Sequence, residues 1–213
     1  MIKKILIFLI FPTLILSSGL HAENLFDSAA KGDRESVRQL IVNGADINMK
    51  DTEGFTPLMI ASFNGRLETV KLLMEAGADI NAESKQGFIA LSRAAYAGHA
   101  DIVQYLIDNQ AAVNARSSSH GWTALLFACA EGREEAAKVL VKNGANVNAK
   151  DTDGISCLMR AVLSGKISIV RMLVEKGADV NAKDKKGNTA ISLSRGGGNE
   201  EIFNYLKSRG AVK

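Results

Sequence analysis

Beyond residue 22, the side chains able to do chemistry on their own are His99, His120, Cys129 and Cys157, set among scattered carboxylates. Nucleophilic or acid–base catalysis needs such groups in convergent pairs or triads, and metal capture needs several His, Cys or carboxylate ligands at recognisable spacing. Neither histidine stands at ligand spacing, and Asp33, Glu35, Asp151 and Asp153 are accounted for as turn and helix-start residues. Gly196-Gly197-Gly198 is not followed by the Lys-Ser/Thr of a phosphate loop and reads as a break at a helix end. Cys129 and Cys157 leave two options open, a disulfide or two small packed apolar residues. The residues therefore predict no catalytic group, no metal site and no cofactor, which turns attention to recognition by aromatic and apolar side chains.

The elements that would position such side chains follow from a repeat. Gly54, Gly87, Gly121, Gly154 and Gly187 recur at intervals of 33, 34, 33 and 33, and a second series runs Gly32, Gly65, Gly98, Gly132, Gly165 and Gly198. Gly-Ala pairs begin at Gly44, Gly77, Gly144, Gly177 and Gly210, with Gln110-Ala111 in the missing place. A period of this length marks a stacked array. Within one unit, Asp51-Thr52-Glu53-Gly54 should turn, and Thr56-Pro57 supplies a capping hydroxyl and a first-turn proline. A short helix then runs to Gly65. A second helix carries Leu67, Val70, Leu73 and Met74 on one face until Gly77 stops it in a left-handed conformation.

This pattern resembles the ankyrin repeat across residues 23–213, most clearly in Gly54-Phe55-Thr56-Pro57-Leu58 and in the exits Gly77-Ala78-Asp79-Ile80-Asn81, Gly144-Ala145-Asn146-Val147-Asn148 and Gly177-Ala178-Asp179-Val180-Asn181. The chain departs from it where the family places a helix-start histidine, since Met59, Ser92, Leu126, Met159 and Ser192 stand there and only Pro57 keeps the proline. The resemblance implies an all-α solenoid of about six helix-turn-helix units with short β-hairpin-like turns. The expected organisation is an N-terminal cap at 23–50, repeats at 51–83, 84–116, 117–150 and 151–183, and a C-terminal cap at 184–213. In the last helix Ile202, Phe203 and Leu206 are expected to pack inward.

The resemblance further implies protein binding through the turn tips and the inner face of the first helices. The residue after each turn glycine is Phe55, Phe88, Trp122, Ile155 or Asn188, and a position near the first helix's end holds Phe63, Tyr96, Ala130, Leu163 or Gly196. These positions predict an apolar stripe of several hundred Å². The alternative is that the rings lean on neighbouring repeats and thicken the core. Unit 117–150 is irregular: Gln110 occupies a left-handed position before it, and Ser117-Ser118-Ser119-His120 lengthens its turn by one residue, as loop drift or as a reshaped tip in which His120 and Trp122 meet the partner. The candidate protein-binding residues are thus Phe55, Phe63, Phe88, Tyr96, His120, Trp122, Ile155 and Leu163. His99, after Gly98, is expected to make a structural hydrogen bond.

Charge and leader complete the reading. Residues 1–22 comprise Met1-Ile2-Lys3-Lys4, an apolar run from Ile5 to Leu16 interrupted by Pro12, and small residues before Glu23, the layout of a cleaved signal peptide rather than a membrane span of about 20 residues. Without Lys3 and Lys4, 24 basic residues face 23 acidic ones, a balance that offers no field for nucleic acid. The Lys183, Lys185 and Lys186 group is broken by Asp184 and reads as a solvated turn. The expectation is a non-catalytic binder of another protein, exported and periplasmic with an extracellular location as the alternative, and without membrane insertion after cleavage. It would serve as a scaffold or regulator holding a partner in its groove, or as a secreted effector that binds host or competitor proteins, the rival from another class being an enzymatic or metal-binding activity hosted on the array.

Overall fold

Each unit folds as a pair of short helices because its apolar positions alternate between a face toward the pair and a face toward the next unit. In the computed structural model, which describes residues 18–196 and 199–212, twelve helices and no strands occur among the described residues. Residues 1–17 of the expected leader and Gly197-Gly198 lie outside that range. The first helices of the pairs are α1 (Ser18–Lys31), α3 (Pro57–Phe63), α5 (Ala90–Ala97), α7 (Ala124–Ala130), α9 (Cys157–Leu163) and α11 (Ala190–Gly196). Their partners are α2 (Arg34–Val42), α4 (Leu67–Glu75), α6 (Ala100–Asp108), α8 (Glu134–Lys142), α10 (Ile167–Glu175) and α12 (Glu200–Ser208). Helix α1 begins ahead of Ala22, so the helical segment overlaps the expected leader boundary.

First helices stack on first helices and second on second along the array. Fully buried Ala61, Ala94, Ala95, Ala128 and Ala161 let the first helices approach closely, while Val70/Leu73, Val103/Leu106, Ala137/Leu140 and Val170/Leu173 fill the layer of second helices. None of the described helices is long and apolar enough to cross a membrane. The core is one continuous apolar cluster from Leu25 to Ala211. Helices of this length are marginal alone, and the shared core is what holds them.

Polar groups tie each unit to the next at fixed offsets. The exit asparagines accept from the backbone of the following exit: Asn48 from Asp79 N at 2.8 Å, Asn81 from Ala112 N at 2.9 Å, Asn114 from Asn146 N at 2.9 Å, Asn148 from Asp179 N at 2.8 Å and Asn181 from Val212 N at 2.8 Å. On the other side of the helix pair, Arg66 Nε donates to Ala30 O at 2.9 Å, His99 Nε2 sits 3.0 Å from Phe63 O, and Arg133 Nε donates to Tyr96 O at 3.1 Å. These side chains cross directly over the glycines of the preceding unit. A Cβ on Gly65 would stand 2.5 Å from His99 Cε1, in addition to the strain of φ +72. That glycine is demanded twice over.

Capping survives the loss of the family's helix-start histidine. Thr56, Thr123 and Ser156 accept from Met59 N, Leu126 N and Met159 N. Ser92 and Ser192, two of the replacements, bond back to Ile89 N and Thr189 N at 3.1 and 3.0 Å. At the C-terminal end Ile202, Phe203 and Leu206 all pack inward, but Phe203 stays partly buried whereas its counterparts Val70, Val103, Ala137 and Val170 are fully buried, since no described unit packs beyond it. Arg195 lies 4.7 Å above its ring instead, and Tyr205 is buried between Arg171 and Arg209 at 4.5 and 5.1 Å.

Cys129 and Cys157 are both buried and free. The adjacent Cys157 thiol and, after it, burial push the Cys129 thiol well above its ordinary pKa.

Gln110 adopts φ 69, the one non-glycine residue with positive φ among those described. Gln110→Gly should therefore raise unfolding stability by about 1 kcal/mol, measured as a higher denaturant midpoint at unchanged slope. Gly65→Ala should cost about 2 kcal/mol, and adding His99→Ala should return only the part due to the missing space. A cycle in which the two changes are simply additive would contradict the double demand on Gly65.

Candidate functional site

The inner face is built from the turns outward. In every turn one side-chain oxygen accepts from the backbone N–H of the stripe residue: Asp51 from Phe55 N, Ser84 from Phe88 N, Ser117 from Trp122 N, Asp151 from Ile155 N and Asp184 from Asn188 N, at 2.8 to 3.1 Å. This clamp sets the direction in which each stripe side chain leaves the backbone. The first helix then carries two further positions onto the same face, three residues apart: Ile60 and Phe63, Arg93 and Tyr96, Phe127 and Ala130, Arg160 and Leu163.

The rings meet. Phe55 and Phe88 stack with centroids 6.3 Å apart and planes 3° from parallel, and Phe63 and Tyr96 stack at 6.0 Å. Phe127 joins the two rows, edge-on to Phe88 at 5.5 Å and to Tyr96 at 5.9 Å, with Trp122 at 4.7 Å. Two guanidinium groups lie among them. Arg93 is 4.8 Å from the Phe55 centroid and 4.0 Å from that of Phe63, and Arg160 is 4.3 Å from that of Trp122. Arg160 also pairs with Asp151 of its own unit, whose side chain is almost wholly buried. Burial lowers the pKa of Arg93 from its usual value, opposed by the Tyr96 hydroxyl and the Asp51 carboxylate.

Five of the sequence-predicted residues, Phe55, Phe63, Phe88, Tyr96 and Trp122, thus form one cluster. His120 stands at its exposed rim, with Nδ1 2.9 Å from Ser119 Oγ, and helps line a cleft of about 240 Å³ with Phe88, Trp122, Phe127, Asp151 and Arg160. Ile155 and Leu163 line a separate depression of about 280 Å³ with Asp184, Lys186 and Leu193. The apolar stripe is partly rather than fully exposed. Of the eight candidates only Tyr96 (38%) and Leu163 (56%) are large exposed hydrophobics, because Phe55, Trp122 and Ile155 pack against the core and the remaining rings cover one another. Both sequence alternatives are partly realised in the same rings.

Three residues of the face escaped the sequence reading: Arg93, Phe127 and Arg160. They occupy the position of Ile60 and Leu193, three residues before the stripe's second member, and that helical spacing was the signal available. The long turn of unit 117–150 is held from both sides, since Ser119 N donates to Gln86 O at 3.5 Å and Thr152 N to His120 O at 3.0 Å.

Comparison with known proteins agrees with this architecture. A family model described as ankyrin repeats (3 copies) matches residues 25–117, 77–151, 114–184 and 147–213. Among solved structures, a chain of the complex between a predatory endopeptidase from Bdellovibrio bacteriovorus and an immunity protein is similar with a TM-score of 0.78 and 29% identity, over 87% of this chain and 97% of that one. No curated protein matches by sequence. With its stacked helix pairs, its glycine series and a family match spanning residues 25–213, the chain belongs to the ankyrin-repeat family.

Proposed function

We propose that this chain is an exported, non-catalytic binding protein that holds a partner protein in its inner face, and that the partner is an endopeptidase from which the producing cell is protected. The observation that carries the binding reading is the fused cluster of Phe55, Phe63, Phe88, Tyr96, Trp122 and Phe127 with two arginines stacked on it. Trp, Tyr and Arg dominate interface energies, and a repeat array holds them rigidly, so little ordering cost falls on association. The protective role and the class of partner are supported by likeness to a chain from an endopeptidase–immunity protein complex. Export rests on the leader-like residues 1–22, which would place binder and peptidase in the same envelope compartment.

The test uses the processed protein as bait in the envelope fraction of the producing cell, followed by peptidase assays on what it captures. An endopeptidase should be recovered and its peptide-bond cleavage suppressed. Phe88→Ala combined with Trp122→Ala should weaken that capture about a hundredfold while unfolding stays cooperative. If the double variant captures and inhibits as well as the parent, the cluster is not the contact surface. Recovery of the protein from the medium rather than the envelope would turn the reading toward a secreted effector.

A further inference from the structure

Two units carry an arginine at the same place on the inner face, and only one of them is given a carboxylate. In unit 151–183, Asp151 in the turn pairs with Arg160 nine residues later. In unit 84–116 the corresponding turn residue is Ser84, and Arg93 stands nine residues after it. Ser84 performs the turn's other duty, accepting from Phe88 N at 3.1 Å, yet it has no charge to offer. Among the described residues Arg93 makes no hydrogen bond and no ion pair, and its Nε, like that of Arg160, is shielded from solvent without an acceptor. The guanidinium is nevertheless held in place between the Phe55 and Phe63 rings. Asp51 of the preceding unit acts on it only through its charge, with no ion pair or hydrogen bond between the two.

We infer that Arg93 is the anchor for an acidic side chain of the partner protein, an Asp or Glu flanked by apolar residues that settle on Phe63 and Tyr96. The inference rests on the groove reading above and names the chemistry that the groove selects. A carboxylate arriving from outside takes the place that Asp151 fills for Arg160. The cation is already partly dehydrated and immobilised by stacking, so the charge-assisted bond forms against a small further loss of hydration and freedom. The bare charge thereby contributes specificity, since a partner lacking the acid would leave it buried and uncompensated.

The unit-to-unit comparison supplies the experiment. Ser84→Asp should give Arg93 an internal carboxylate. The substitution fits the fold, because Asp51, Asp151 and Asp184 stand at the same turn position and accept from the stripe residue's N–H as Ser84 does. The probe is a library of randomised 12-residue peptides, displayed once as disulfide-closed loops and once with free carboxyl termini, selected on the processed protein. Closed loops should be enriched in one Asp or Glu position beside an apolar residue. Their affinity should fall about tenfold on Ser84→Asp, on Arg93→Gln, or on changing the peptide's acid to its amide, and the amide peptide should lose nothing more on Arg93→Gln. Ser84→Asp should also melt at or above the parent temperature, which separates occupation of the anchor from misfolding; were it to misfold, Arg93→Gln alone decides. Loops that depend on Phe88 and Trp122 but bind Arg93→Gln as well as the parent would leave the groove reading standing and overturn the anchor. Enrichment confined to free carboxyl termini would overturn it in favour of a terminal carboxylate, and the absence of any groove-dependent peptide would overturn both.

Discussion

At each junction of this protein, side chains of one unit satisfy backbone groups of its neighbour, and the array exists because those bonds recur at a constant interval. The asparagine of each exit loop accepts from the backbone of the following exit, from Asn48 and Asp79 through to Asn181 and Val212. An exit loop without its neighbour would expose an amide and lose an aligned acceptor. The second crossing, by Arg66, His99 and Arg133 to carbonyls of the preceding first helix, runs in the opposite sense, the later unit serving the backbone of the earlier one. Helices of seven to nine residues such as α3 and α4 are thus held in register from two directions, while the shared alanine-rich core supplies the apolar driving force.

The inner face inherits its precision from this registration. A ring placed by one turn meets the ring placed by the next only if the units do not slip, and the nearly parallel Phe55 and Phe88 planes express that constancy. Phe127 breaks the simple ladder by touching both rows, which makes units 84–116 and 117–150 the densest part of the face. The arginines then divide by local chemistry rather than by position. Arg160 is neutralised by the turn of its own unit, so it braces the Trp122 face, whereas Arg93 is braced by rings alone and retains its charge for something outside the chain.

Much of the fold was legible because glycine and proline act through the backbone and leave a periodic trace. The helix pairs, their approximate ends and the left-handed Gln110 all follow from φ requirements that need no knowledge of neighbours. What the residues could not disclose depended on the adjacent unit. The glycine at position 65 reads as a helix stop, yet the imidazole from the next unit claims the same space. Phe203 looks like Val70 or Val170 until the array ends and leaves it half covered. The candidate face was legible in part for the same reason: turn residues announce themselves beside glycines, whereas Arg93 and Arg160 resemble ordinary solvated helix positions until the rings beside them are known.

The lengthened turn at Ser117–His120 bears on both layers of this organisation. An inserted residue in a free loop would loosen the tip, but here the turn-to-turn ladder of Lys85 N to Glu53 O, Ser119 N to Gln86 O, Thr152 N to His120 O and Lys185 N to Asp153 O runs through it unbroken, so the extra residue is absorbed without losing a bridge. The Ser117 hydroxyl still clamps Trp122 N despite the altered count. The inserted turn leaves Ser118, Ser119 and His120 exposed while the indole packs against Phe127 at 4.7 Å. That combination sets His120 as an exposed lip above a cleft whose wall is aromatic and whose floor carries the Asp151–Arg160 pair. An irregularity that preserves every clamp beneath it changes the groove's outline without changing its register, which is how a repeat array acquires an individual binding shape without weakening the stack that supports it.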